Sequence, residues 1–304
     1  MKTPLRHMKP LFMWAGGKTR LIKKYTEQNT LPDKFDQYVE PFLGAGAMFI
    51  WAYEKNPNAS FVLNDSNESI MAIYTAIKKD VNKFTEHLDG LSEAYLPLNK
   101  ENRKSFYYEL RRQHAYDYEG WSKTQEAATL YFLMKTGFNG IWQINQNTNN
   151  RFGTPCGLLN QKDSVYDKDN VLEWSKALKR CKLMTGDFRD TMSAIKDNAY
   201  VFLDPPYRGS FTQYGVDFDD HLQEAVITFL NDLTAKGAYV MMSNRDVGDN
   251  FFESRCGNNK IVYFDVTYTA GRRKKNADGS HSAKKAREIL MIGEKNGCES
   301  KNRH

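Results

Sequence analysis

From Gln37 to Asn67 the apolar residues fall into two short runs separated by a glycine turn and a helical stretch. "QYVEPF" reads as a strand, "LGAGAMFIWAYEK" as a turn leading into a helix, and "ASFVLNDSN" as a second strand that ends on polar residues. This is the opening of a doubly wound sheet. From Glu68 the spacing changes to long amphipathic stretches, "SIMAIYTAIKKDVNKFTEHL", "RKSFYYELRRQHAYDY" and "SKTQEAATLYFLMKTGF", which predict helices. The polar, Asn-rich "NGIWQINQNTNNRFGTPCG" has no usable period and reads as a loop or an irregular hairpin. Strand patterns resume at "KLMTGDF", "AYVFLDPPY", "AYVMMSN" and "KIVYFDVTYTA", with "DHLQEAVITFLNDLTAK" as a helix and "REILMIGEK" as a last strand. The expected architecture is α/β: a Rossmann-like doubly wound sheet formed by residues 1–67 and 166–304, carrying a mainly helical insertion over residues 68–165. An insertion of that kind is expected to serve recognition.

Composition narrows the class without choosing a function. Hydrophobic residues make up 40% and charged residues 26%, so a packed core is expected and wholesale disorder is excluded. No apolar run reaches membrane-span length, and "MKTPLRHMKP" lacks the apolar centre of a signal peptide, so a soluble, cytoplasmic protein is expected. The four cysteines are scattered and form no CxxC, and the six histidines show no ligand spacing, so neither a disulfide framework nor a metal site is expected. The net charge is +6, and its distribution matters more than its size. Between Arg272 and Arg287, in "RRKKNADGSHSAKKAR", seven Lys or Arg face one Asp, so 7 − 1 = +6 resides in this segment alone. Such a segment suits a polyanionic partner.

Three clusters fall at the carboxyl ends of expected strands, where open α/β sheets bind ligands: "EPFLGAG", "LNDSN" and "LDPPY". Gly44 and Gly46 permit a tight turn close to a bound molecule, although the pattern is not GxGxxG. Asp65 stands where an acid accepts hydrogen bonds from a ribose diol, so turn and acid together point to an adenosine-containing cofactor. "MWAGGKTR" ends like a phosphate loop, but Phe12 occupies the position where that loop needs its first glycine, which excludes a nucleoside triphosphatase of this type.

In "VFLDPPYRGS" a buried strand runs into an acid held by two prolines. Pro205 and Pro206 remove two backbone donors and fix two φ angles, leaving the Asp204 carboxylate and nearby carbonyls as acceptors in a stiff loop. Tyr207 adds a flat face able to stack on a planar ring. The set suits an exocyclic amino group: hydrogen bonds to Asp204 and the Pro205 carbonyl would draw its lone pair out of the ring for attack on an electrophilic methyl.

Taken in order, "WAGGK", "EPFLGAG", "LNDSN", "GFNG", "GDF", "LDPPY" with "FTQY", and "SNRD" resemble the Dam-like DNA adenine N6-methyltransferases, over roughly Pro10 to Gly293. The resemblance implies a sheet of the class I methyltransferase type. It implies S-adenosylmethionine as cofactor, held by Trp14, Lys18, Phe42, Gly44, Gly46, Asp65, Asp187 and Phe188. Asp204, Pro205, Pro206 and Tyr207 would form the catalytic pocket for an adenine flipped out of double-stranded DNA, with no metal involved. By the same resemblance the insertion contacts DNA, through Lys135, Phe138, Asn139 and Gln143, while Arg272, Arg273, Lys274 and Lys275 grip phosphates. GATC-methylating relatives carry Arg three residues after the glycine of this element, where this chain has Gln143. Arg is the usual partner of guanine and Gln of adenine, so relaxed or altered site recognition is expected. The pocket chemistry also leaves open RNA adenine or DNA cytosine N4 as target. A catalytically silent nucleic-acid-binding module would be expected to have lost the intact acid, prolines, tyrosine and lysine.

Overall fold

The computed structural model describes residues 8–14, 16–209, 218–268, 274–275, 281–282 and 284–294. Along the chain, α1 (Thr19–Glu27) precedes β1 (Gln37–Glu40), α2 (Ala47–Lys55) and β2 (Ser60–Asp65). Three helices follow, α3 (Glu68–Tyr95), α4 (Lys100–Tyr116) and α5 (Lys123–Thr136), then a short hairpin of β3 (Ile144–Asn145) and β4 (Arg151–Phe152). Next come α6 (Lys168–Leu178), β5 (Cys181–Thr185), β6 (Tyr200–Leu203), α7 (Asp220–Ala235), β7 (Tyr239–Asp246) and β8 (Lys260–Tyr268). A small antiparallel pair, β9 (Lys274–Lys275) and β10 (His281–Ser282), lies before β11 (Lys284–Gly293).

Seven strands make one sheet in the order β5-β2-β1-β6-β7-β11-β8. Every pairing is parallel except those of β11, which runs antiparallel to both β7 and β8. The sheet is therefore Rossmann-like and doubly wound, and the strand order reverses between β1 and β6, which opens a crevice at their carboxyl ends. All residues of β1 and β6 are buried, because helices cover both faces there. On one face Tyr25, Phe49, Tyr74 and Trp174 pack together; on the other, Val226, Phe229 and Leu230 of α7 meet Val39, Val201 and Leu203.

Helix α3 joins the sheet to the helical layer. Asn67 caps it by accepting from the Ser69 and Ile70 N–H groups, and Ile70, Tyr74 and Ile77 bury against the sheet side. At Asp80 the backbone leaves the helical region (φ −151°, ψ 73°), and beyond it Phe84 and Leu88 pack into the insertion, Phe84 against Tyr131 of α5. Helix α5 opens with a capping box of Ser122 and Gln125 and is buried from Ala127 to Met134, since it packs between α3 and α4.

Candidate active site

The end of β6 delivers Asp204 to the crevice. Its Oδ2 lies 2.6 Å from the Lys18 ammonium, and its Oδ1 accepts from the Ser243 hydroxyl at 2.9 Å. Lys18 is 3% exposed, because the loop before α1 folds over it; Nζ also donates to the Gly16 carbonyl at 2.7 Å and stands 4.7 Å from the centre of the Tyr207 ring. Burial raises the proton affinity of Asp204, while Lys18 and Ser243 act against that rise by stabilising the carboxylate. The Tyr207 hydroxyl donates to Glu288 of β11 at 3.0 Å, which fixes the ring, and its own acidity is suppressed by burial and by Asp204 and Glu288. Gln223 of α7 donates to the Pro206 carbonyl at 2.8 Å and accepts from Asn244 at 2.9 Å, so the proline turn is held from the opposite face. No peptide bond in the described residues is cis.

The other half of the crevice surrounds the turn after β1. Gly44 and Gly46 adopt left-handed backbone, φ +49° and +71°. A side chain at either would also collide, at Gly44 with the Trp14 indole 2.9 Å away and at Gly46 with Trp174 at 2.6 Å. The Asp65 carboxylate ties the turn down, accepting the Gly44 N–H at 2.8 Å and the Asn67 N–H at 2.9 Å, and burial pushes its proton affinity up to about 6. Each Asp65 oxygen retains a second lone pair for a ligand hydroxyl. Glu40, buried at the end of β1 and bonded by the Tyr38 hydroxyl at 2.7 Å, is held well above the usual carboxylate range by desolvation. Phe42 stacks on Phe188 with centroids 5.3 Å apart, and Asp187 beside it is forked to Arg189 at 2.7 and 2.8 Å, which lowers its proton affinity. An acid, a glycine turn and an aromatic wall at three adjacent strand ends fit an adenosine group, as the Asn64 Oδ1 does, buried without a partner in the described residues.

The expected cofactor and catalytic residues thus gather along one crevice, with Lys18 joined to Asp204 and Tyr207. The element carrying Phe138, Asn139 and Gln143 adjoins this cluster, since Trp142 packs against Trp14 with ring centroids 6.0 Å apart. Lys135 is half-buried near the end of α5, with its proton affinity lowered by desolvation. Phe138 is 43% exposed, Asn139 and Gly140 turn through left-handed backbone, and Gly140 packs on Met13, so this tip touches the segment leading to Trp14. Gln143 is half-buried, and its carbonyl accepts from the Gly153 N–H at 2.7 Å. Arg272, Arg273 and "FTQY" lie outside the described residues, and Lys274 and Lys275 are described only as backbone of β9. Ser243 opens the "SNRD" element but was given no role there, and Gln223 and Glu288 were not singled out; an acid within the apolar "REILMIG" was the signal available for Glu288.

The sheet order and the crevice are those of a Rossmann-like doubly wound protein with its ligand site at the strand ends. More narrowly, the profile of the D12 class N6 adenine-specific DNA methyltransferases matches residues 14–270, and the chain belongs to that family. It is 30% identical over 296 residues to Type II methyltransferase M.MjaIII of Methanocaldococcus jannaschii, spanning 94% of this chain and 99% of that protein. It is 30% identical over 213 residues to Type II methyltransferase M.CviBI of Paramecium bursaria Chlorella virus NC1A, spanning 68% and 72% of the two chains. A DNA adenine methylase of Haemophilus influenzae is 26% identical over 254 residues, 81% of this chain and 82% of that one. The protein is an enzyme that uses S-adenosylmethionine to methylate adenine N6 in DNA.

Proposed function

We propose that the adenine is turned out of double-stranded DNA and lies on the Tyr207 face with its amino group directed at Asp204. The observation that carries this reading is the position of Lys18 Nζ, an N–H donor 2.6 Å from the Asp204 carboxylate and over the Tyr207 ring. The acid and the ring therefore already accommodate a nitrogen donor in the relation the amino group needs. When bound, S-adenosylmethionine supplies an electrophilic methyl group; Gly44, Gly46, Asp65, Phe42, Phe188, Asp187 and Trp14 would hold it. Asp204, whose carboxylate Lys18 and Ser243 stabilise against burial, accepts an N6 hydrogen bond as the amino group takes the place of Lys18 Nζ over the Tyr207 ring, and so concentrates the lone pair on nitrogen. Pro205 and Pro206 keep the loop stiff, and Glu288 and Gln223 hold that geometry from behind. Extruding a base costs unstacking energy of a few kcal/mol, which stacking on Tyr207 offsets in part.

Residues 68–165 would form the recognition part. Phe138, with 43% exposure at a left-handed turn, is shaped to enter the base stack, with Asn139 beside it, while Lys135 and the basic segment from Arg272 to Lys275 contact DNA. Gln143 in place of an arginine supports a site preference other than strict GATC. Single-molecule mapping of every N6-methyladenine placed on unmethylated DNA tests the reading. Methylation of GATC together with its first-base variants is expected; modification confined to GATC would refute the assigned role of Gln143.

A further inference from the structure

Among the described residues, Lys18, Arg208, Arg287 and Arg245 stand around the carboxyl ends of β6 and β7, and the first three are paired with acids. Lys18 is paired with Asp204, Arg208 with Asp220 and Asp249, and Arg287 with Asp246. Arg245 is different. Its guanidinium Nε is shielded from solvent and has no hydrogen-bond partner among the described residues. It lies on β7 two residues beyond Ser243, so strand alternation turns both side chains to the face on which Ser243 meets Asp204. Directly across the ladder is Glu288, whose carboxylate takes the Tyr207 hydroxyl. The next acid along the strand, Asp246, is held by Arg287.

An arginine Nε–H withdrawn from water without an acceptor is unfavourable unless a ligand supplies one. At this edge of the crevice, on the substrate side of Asp204, a methylated DNA strand brings phosphodiesters, and their oxygens match the planar fork of arginine. We propose that Arg245 binds a backbone phosphate flanking the extruded adenosine; the inference rests on the adenine-pocket reading. It is a positioning contact, holding the strand while Tyr207 and Asp204 hold the base. Its charge adds to affinity without reading sequence.

The test uses the full chain and a short duplex containing a mapped target adenine, with flanking phosphates replaced one at a time by neutral methylphosphonate. Arg245→Gln is expected to weaken DNA binding about tenfold and to reduce the slope of log affinity against log salt by about 0.9, with S-adenosylmethionine affinity unchanged. One methylphosphonate within two nucleotides of the adenine should cause the same loss in the wild type and less than a further twofold in the variant. Arg245→Lys, which preserves charge and length, should retain the salt slope and guards against a folding defect in the glutamine variant. Equal methylphosphonate penalties in wild type and Arg245→Gln, or an unchanged salt slope, would overturn the assignment. Binding is read directly, so failure of the pocket reading, seen as absent methyl transfer by the wild type, is a separate result.

Discussion

Replacing Lys18 by methionine removes the ammonium while keeping most of the side-chain volume, and its effect on Asp204 follows from the geometry. The charges are 2.6 Å apart, with side-chain exposures of 3% for Lys18 and 21% for Asp204. With an effective dielectric constant of about 20, that separation corresponds to about 6 kcal/mol of attraction. Desolvation and residual solvent screening offset much of it, and opposite charges this close lower a carboxylate by about 1–3 pH units, or roughly 1.4–4 kcal/mol. Burial already raises Asp204, and Lys18 is the main influence opposing it. Removing Lys18 therefore raises Asp204 further, and the ionised fraction falls at any given pH. The acidic limb of kcat/KM for methyl transfer should move up by about 1–3 pH units. A carbon-13 titration of the Asp204 carboxyl, which needs no turnover, should show the same displacement. An Asp204 titration at the wild-type pH in Lys18→Met would refute the reasoning.

Asp204→Ala should abolish methyl transfer while leaving DNA binding in place, and should cost about 3 kcal/mol in urea unfolding because the buried Lys18 loses its counter-charge. Gly44→Ala forces a left-handed residue to carry a Cβ and pushes on Trp14; a loss of about 1–2 kcal/mol in thermal stability and weaker S-adenosylmethionine binding by calorimetry are expected. Gln143→Ala should flatten discrimination at one base of the site by about 1–3 kcal/mol, read as a change in methylation frequencies across sequence contexts.

Much of the sheet was legible because its strands are nearly continuous apolar runs ending on polar residues, as at Leu203–Asp204 and Leu63–Asp65. The same ends marked the site, since an acid directly after a buried strand has few structural reasons to be there. Helices α1 and α6 were not separated from their polar, turn-rich surroundings, and α3 was expected over a shorter span than it occupies. Contacts that depend on pairing across the sheet were out of reach. Glu288 meets Tyr207 across 81 residues of chain, and only the antiparallel register of β11 on β7 puts it there. Likewise, no local pattern announced that Trp14 and Trp174, far apart in the chain, pack against the glycines of the turn. Lys18, expected to hold the cofactor, lies against Asp204 at the end of β6, a contact that its place before α1 did not announce.

The most direct test is methyl transfer from isotopically labelled S-adenosylmethionine to unmethylated duplex DNA, followed by nucleoside mass spectrometry, with wild type and Asp204→Ala run side by side. Labelled N6-methyladenine from the wild type, and none from a variant that still binds DNA, is the predicted result. Labelled N4-methylcytosine in its place, or N6-methyladenine formed equally well by Asp204→Ala, would contradict the account.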